Sequence, residues 1–186
     1  MGIRSLAAKF SLSRAAANVV SVPLSLPLQL SGKSLLVLLP DKQRDLTVVK
    51  QILPRVLRLF GEESVHLLAA PECDIQSIFP SKGIRIITPD VNALNWSRLP
   101  SHAFLDRLRA QKFDYVFDTN LEENGFAARI LLLYPYAVRF GAAGRLGLPY
   151  LNLEIKTKYG RDRGLIYECI LEVIEHLSHT AGALTS

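Results

Sequence analysis

The chain has 186 residues, of which 49% are hydrophobic, and carries a formal net charge of +5. This length favours one domain with a substantial core, and no stretch of the globular part offers the roughly 18 apolar residues that cross a membrane as a helix. All acidic residues lie after residue 40, so the basic excess comes mainly from the N-terminal segment. The nearly neutral remainder argues against a nucleic-acid-binding domain and against a nucleic-acid partner, because such a domain carries a basic face on the fold itself.

Residues 1–31 form a basic leader or N-terminal arm, rich in Ser and Ala, before the predicted domain. The composition is typical of a transit peptide, but Pro23 and Pro27 interrupt its apolar part, unlike in a secretory signal. Apolar and basic residues alternate at helical spacing over 6–14, which suits an amphipathic helix on an anionic membrane surface. A disordered or packed arm is the third interpretation, and any peripheral membrane contact is expected within residues 1–22.

The first strand and helix of the domain follow this segment. The continuous apolar run over 34–39 is typical of a strand that is buried on both faces. After a polar loop, Asp45 is placed to cap a helix over 46–60, whose apolar residues repeat at helical spacing. Gly61 is expected to end this helix.

Strands and helices continue to alternate along the rest of the chain. The pattern predicts strands over 64–69, 83–87, 113–117 and 136–140. It predicts helices over 104–110 (capped by Ser101), 122–133 and 164–181. The segment 73–79 is expected to be a short helix or turn, and 146–157 an irregular segment or short strand. This alternation, with short connections, predicts an α/β fold with a Rossmann-like, doubly wound, mostly parallel sheet. The domain is expected to span 32–181, with a short tail over 182–186.

The loop after the first strand, at 40–45, reads PDKQRD. A nucleotide-binding Rossmann domain carries a glycine-rich phosphate loop here, and because no glycine is present we expect no ADP-sugar, NAD or other cofactor to bind. The loop instead offers Asp45, with Lys42 and Arg44 beside it as candidate substrate-binding residues. A carboxylate at the start of a helix acts as a general base on a hydroxyl, or it only caps the helix.

Polar residues also follow the fourth strand. Asp118 and Asn120 are candidates to hydrogen-bond a polyol, the alternative being that they cap the turn into the next helix. Arg145 lies in a glycine-rich loop, where it is suited to contact an anionic group or to remain solvated. Cys73 and Cys169 lie far apart and show no metal-ligand spacing, so we expect free thiols and no metal site.

Three segments carry a family resemblance: LLVLLPDKQRDLTVVKQILPRVLRLFGEESVHLLAAP at 35–71, FLDRLRAQKFDYVFDTN at 104–120 and YAVRFGAAGR at 136–145. Together they resemble the N-terminal half of glycosyltransferase family nine, the ADP-heptose:lipopolysaccharide heptosyltransferases. The resemblance extends over residues 33–178. The motif around KFDYVFD is the most specific part of the resemblance, and the first loop is less specific.

The resemblance implies one half of a two-domain GT-B glycosyltransferase, the half that binds the lipid A–core acceptor. It maps the family's catalytic base onto Asp45 and the arginine of its later loop onto Arg145. It also implies a role in lipopolysaccharide or cell-envelope glycan synthesis, in the cytoplasm and peripherally at the inner membrane. Arg44 departs from the family pattern, because the family has a glycine at this position.

The donor-binding domain of the family is expected to be missing from this sequence. The isolated chain is then expected to be inactive, and a partner chain with a donor domain, or a homo-oligomer, would complete it. An anionic glycolipid is the expected acceptor. A non-catalytic, Rossmann-like module for protein binding or scaffolding is the alternative function, and a split or truncated gene product is the third possibility.

Overall fold

A computed structural model of the chain describes residues 3–20, 22–73, 75, 78–79, 84–90, 92–160 and 162–179. The α-helices within these ranges are α1 (Ile3–Ala16), α2 (Gln43–Phe60), α3 (His102–Arg109), α4 (Gly125–Leu131) and α5 (Arg163–His179). The strands are β1 (Leu35–Leu38), β2 (Val65–Leu68), β3 (Arg85–Ile87), β4 (Tyr115–Asp118), β5 (Val138–Ala142) and β6 (Leu153–Ile155), and a short 3-10 helix (Glu62–Ser64) precedes β2.

The described strands form one sheet in the order β3-β2-β1-β4-β5-β6, and every neighbouring pair is parallel. This arrangement confirms the predicted α/β, Rossmann-like, doubly wound fold. The chain winds outwards in one direction from β1 to β3 and in the other from β4 to β6. The order therefore reverses between β1 and β4, and in open α/β sheets ligands bind at the carboxyl ends of the strands at such a point.

The two central strands are fully buried because helices cover both faces of the sheet. Alternate residues of a strand point to opposite faces, so Leu35 and Phe117 join the core beneath α2 and α5, whereas Leu36 and Val116 join the core beneath α3 and α4. The continuous apolar run that predicted β1 follows from this double burial.

Helix α2 begins at Gln43, earlier than the predicted start at residue 46. Lys42 occupies the N-cap position without a capping side-chain hydrogen bond, and Asp45 lies within the first turn. The expectation that Asp45 caps the helix is therefore wrong. Its carboxylate contacts Arg163 of α5 instead, a partner that no local pattern predicts. Gly61 ends the helix with φ of 94°, as expected.

Helix α4 is shorter than the predicted helix over 122–133. It begins after Asn124, whose side-chain oxygen accepts a hydrogen bond from the backbone N–H of Ala127 at 3.0 Å. Residues 121–124 belong to the preceding turn region, because this cap sets the first helical residue.

Other boundaries differ from the prediction by a few residues. Strand β5 begins at Val138 instead of residue 136, because the N–H of Ala137 still closes a turn onto the carbonyl of Tyr134 at 3.2 Å. The predicted third strand is confirmed as β3, although its first predicted residue, Gly83, lies outside the described residues. The end of the last predicted helix and the tail over 182–186 also lie outside them.

The segment before β1 packs on the domain. Helix α1 lies against α4, and Leu28 and Leu30 are buried in the core beneath α2 and α5. The N–H of Leu28 donates to the carbonyl of Leu177 at 3.0 Å. No helix within the described ranges is long and apolar enough to cross a membrane. The boundary between residues 31 and 32 stays a prediction.

Candidate functional site

The candidate site lies at the carboxyl ends of β1 and β4, where the strand order reverses. Thr119 joins the two strand ends, because its hydroxyl donates to the carbonyl of Leu38 at 2.7 Å. The phenol of Tyr167 on α5 donates to the carbonyl of Thr119 at 2.6 Å. The loop that leads into α2 and the turn that leads into α4 are thus held side by side against α5.

Asp45 is the most buried carboxylate at this edge, with 3% exposure. Its Oδ2 forms an ion pair with Arg163. The Nε of Arg44 lies 3.6 Å from its Oδ1, and Oδ1 accepts no hydrogen bond from any residue that the structure describes. One oxygen of this carboxylate is therefore anchored, whereas the other has unused hydrogen-bonding capacity.

Glu122 links the basic residues around Asp45. Its carboxylate pairs with Lys42 and lies 3.5 Å from the guanidinium of Arg44 and 3.4 Å from that of Arg163. The hydrogen bond from Lys42 is the main cause that holds the pKa of Glu122 below its usual value. Lys42 and Arg44, two of the basic side chains predicted to bind substrate, are thus engaged in an ion-pair network over Asp45.

Asp118 is buried at the end of β4, and burial raises its pKa to about 6 against the lowering effect of its hydrogen bonds. Its Oδ1 accepts from the backbone N–H of Asn120 at 3.1 Å and from the side-chain amide of Asn120 at 2.7 Å. The side-chain oxygen of Asn120 accepts from the amide of Asn124 at 2.9 Å. This relay uses both ends of the Asn120 amide within the turn, and the cap of α4 belongs to Asn124.

Gly141 is required by the close approach of β5 to this end of β4. A Cβ atom at Gly141 would lie 2.8 Å from the backbone oxygen of Asp118, a distance that real Cβ contacts do not reach. Asp118 therefore packs directly against a backbone that carries no side chain.

Arg145 is exposed in the loop after β5, and its charge lowers the pKa of Asp118, so its charge lies near this edge of the sheet. Burial raises the pKa of Tyr167, and the charges of Asp45 and Asp118 raise it further. The fold thus brings all of the candidate residues to one edge, around a tyrosine that the sequence did not single out.

Arg163 and Tyr167 are the site residues that sequence reasoning missed, and Glu122 was considered only as the start of a helix. Arg163 and Tyr167 lie on the last helix, far from the first loop in sequence. No spacing or motif connects them to Asp45, so a sequence pattern offers no signal for either residue.

Two hollows border the site. A cleft of about 520 Å³ lies over the carboxyl ends of β1 and β2, and Asp41, Arg98 and Asn124 are among its lining residues. A smaller cavity of about 50 Å³ lies beside Asp45 and shares Asp41 and Asn124 with the cleft. Ligand pockets measure roughly 300–1,000 Å³, so of these two it is the cleft that is large enough for a saccharide. The described His, Cys, Asp and Glu side chains form no group of three that would hold a metal ion.

The strand order and the site at the switch point define a Rossmann-like, doubly wound α/β domain. The fold is similar to that of E. coli heptosyltransferase WaaC with ADP, with a TM-score of 0.57 and 15% sequence identity, covering 75% of this chain and 46% of that chain. It is also similar to E. coli heptosyltransferase WaaC with ADP-2-deoxy-2-fluoro heptose, with a TM-score of 0.53 and 14% identity, covering 77% and 48% of the two chains.

These similarities confirm the expected resemblance to heptosyltransferases at the level of the fold. The chain spans about half the length of the heptosyltransferase structures that it matches. No protein-family model matches the sequence, and no curated protein matches it either. The domain therefore has a heptosyltransferase-like, Rossmann-like α/β fold.

Proposed function

We propose that this chain is the acceptor-side domain of a GT-B glycosyltransferase that acts in lipopolysaccharide or cell-envelope glycan synthesis. The observation that carries the proposal is the position of Asp45. This buried carboxylate lies in the first turn of α2, at the carboxyl end of β1, where the resemblance maps the catalytic base. The fold similarity to WaaC supports the same assignment.

In this proposal Asp45 acts as the general base. Its Oδ1 is buried and lies 3.6 Å from the Nε of Arg44, and it accepts the proton of an acceptor hydroxyl once Arg44 turns to the acceptor, while Arg163 anchors Oδ2. The deprotonated oxygen then attacks the anomeric carbon of a nucleotide-activated sugar, and the nucleoside diphosphate leaves with the electrons of the broken bond. The donor is held by the second domain of the GT-B architecture.

The cleft of about 520 Å³, which shares Asp41 and Asn124 with the small cavity beside Asp45, is the proposed acceptor site. Arg145 at the exposed loop binds an anionic group of the acceptor. Asp118 and Asn120 position the turn after β4 in this proposal, because their side chains are hydrogen-bonded to one another. Lys42 and Arg44 exchange their contacts with Glu122 for acceptor contacts when the acceptor binds.

Binding of a deacylated lipid A–core oligosaccharide to the isotopically labelled chain tests the acceptor site. We expect NMR shift changes concentrated at residues 41–45 and 118–124, and weaker binding after Arg145→Gln. Arg109→Gln on α3 is the matched control, because this arginine is exposed and pairs with Asp106 of its own helix. No shift change with the oligosaccharide would show that the acceptor proposal is wrong.

A transfer assay with ADP-heptose and the separately produced donor half of WaaC tests the role of Asp45. We expect Asp45→Asn to keep acceptor binding and to lose transfer, since asparagine has a similar shape but does not accept the proton. Binding without transfer in the unmodified chain would favour the second candidate below.

The second candidate is a non-catalytic binding module. The ion-pair network favours it, because Arg163, Arg44 and Glu122 surround Asp45 and the adjoining cavity of about 50 Å³ is too small for a sugar. In this case Asp45 has a structural role only. Its replacement by asparagine would then alter stability and leave every ligand interaction at the cleft unchanged.

A further inference from the structure

Helix α1 exposes a ridge of large apolar side chains, which are Ile3, Leu6 and Phe10, with exposures of 81%, 55% and 73%. They are spaced i, i+3 and i+7, so they share one face of the helix. Packing on the domain does not account for this ridge. The half-buried residues Ala8 and Leu12 lie on the other side of α1, towards α4.

Basic residues surround this ridge. Lys9 and Arg14 are exposed on its two flanks, and Arg4 follows Ile3 at its N-terminal end. The helix contains no acidic residue, and the first acid of the chain is Asp41. An apolar stripe between cationic side chains matches the boundary between the acyl chains and the anionic headgroups of a bilayer. Long basic side chains reach the headgroups while the stripe is buried.

A second copy of the chain is a poorer occupant of this ridge. A contact between two copies of α1 would bring Arg4, Lys9 and Arg14 of both helices together, and α1 offers no acid to balance them. Like charges brought together across an interface are destabilising. Charge complementarity therefore selects an anionic lipid surface over self-association.

We infer that α1 is a membrane-surface helix, which docks the domain on an anionic bilayer through the ridge of Ile3, Leu6 and Phe10. The helix lies in the plane of the interface and does not cross it. Ala8 of the same helix lines the cleft of about 520 Å³ together with Asp41 and Asn124. Docking through α1 thus places the cleft across this helix from the lipid surface, about 10 Å away, and the inference does not depend on what the cleft binds.

Flotation of the full chain with vesicles tests the inference. We expect binding to vesicles of equal parts phosphatidylcholine and phosphatidylglycerol, and much weaker binding to phosphatidylcholine alone. The double variant Leu6→Ser, Phe10→Ser should lower the partition coefficient at least about tenfold, because it removes most of the buried apolar surface. Tyr136→Ser, which removes another exposed aromatic side chain (86%) that is not part of the ridge, should leave binding unchanged.

The charge contribution has its own matched pair of variants. Replacing Arg4, Lys9 and Arg14 by Gln should lower binding to the anionic vesicles about a hundredfold, since each basic residue near such a surface contributes about 1 kcal/mol. Replacing the exposed Lys50, Arg58 and Lys156 by Gln changes the net charge equally and should have little effect.

Three outcomes would overturn the inference: no binding of the unmodified chain to the anionic vesicles, equal losses in the two charge variants, or a dimer that the ridge variant abolishes. Circular dichroism of each variant confirms that the domain remains folded. The vesicles contain no glycan, so failure here is separate from failure of the acceptor proposal.

Discussion

Buried Asp45 and half-buried Arg163 form an ion pair that joins the first turn of α2 to the first turn of α5. Removing one member of such a pair leaves the other charge without compensation in a poorly hydrated place. The Arg44 side chain is 64% exposed and lies farther from the carboxylate. The two arginines around one carboxylate therefore differ in their expected contribution to stability.

Arg163→Gln should lower the free energy of unfolding by about 2 kcal/mol. This is less than the roughly 3–5 kcal/mol that is lost when one partner of a fully buried pair is removed, because Arg44 remains near the carboxylate. Arg44→Gln is the control, and its effect should stay under about 1 kcal/mol, as is usual for exposed pairs. Urea unfolding at neutral pH measures both free energies. Equal effects of the two substitutions would contradict the assignment of Arg163 as the main partner of Asp45.

Asp118 should make stability depend on pH. Its pKa rises from 3.8 to about 6 in the folded state, mainly through burial. The folded chain thus binds more protons than the unfolded chain between these values, and this contribution to stability is lost as pH rises from about 4 to about 6. The loss is on the order of 2–3 kcal/mol.

Asp118→Asn removes this titration. The unfolding free energy of the variant should therefore increase relative to that of the unmodified chain as pH rises from about 4 to about 6. Carbon NMR of the Asp118 carboxyl should give a midpoint near 6, which Arg145→Gln should raise because the arginine charge lowers this pKa. A carboxyl that titrates at its ordinary value would show that the burial of Asp118 is not as described.

Among the elements, α5 contacts both α2 and the end of β4 and so fixes their relative position. Its Tyr167 contacts the end of β4, its Arg163 contacts α2, and Arg55 of α2 pairs with Glu168 at 2.5 Å and Glu175 at 2.7 Å. Strands β4 and β5 also pack closely at the site. Gly141 of β5 leaves no room for a side chain beside Asp118.

Gly141→Ala should destabilise the domain by about 1–3 kcal/mol, because the new methyl group must push β5 away from the backbone of β4. Gly160→Ala is the matched control, since a Cβ at Gly160 meets no atom within 4 Å. Thermal unfolding compares the two variants. A melting temperature of Gly141→Ala equal to that of the control would show that the two strands do not approach so closely.

For the whole molecule, the sheet buried on both faces dominates stability. Val116 lies on the central strand β4 and is 0% exposed. Small domains have a net stability of about 5–15 kcal/mol, so a single buried and unpaired charge in this sheet removes a large part of it.

Val116→Asp should cost about 4 kcal/mol or more and reduce the yield of soluble protein. Leu165→Asp, at a position that is 44% exposed on α5, introduces the same charge and should change stability by less than about 1 kcal/mol. Denaturant unfolding checks both values. A soluble Val116→Asp variant with an unchanged midpoint would contradict the central position of β4.

The sequence by itself predicted the order of strands and helices, the fold class and the segments that contribute the candidate site. These properties depend on neighbours in the chain: the run over 34–39 predicted a doubly buried strand, and Gly61 and Ser101 marked helix ends that the structure confirms. The resemblance to heptosyltransferases likewise depended on short sequence motifs such as KFDYVFD.

Only the tertiary structure decided what the individual site residues contact. Asp45 looked like a helix cap because it precedes a run of apolar residues at helical spacing, whereas folding brings Arg163 of α5 to it. The amide of Asn120 is engaged within its own turn, and the apolar ridge of α1 is identified only when its opposite face is seen to pack on α4. Ion pairs and burial depend on groups that are distant in sequence, and periodicity contains no information about which distant groups meet.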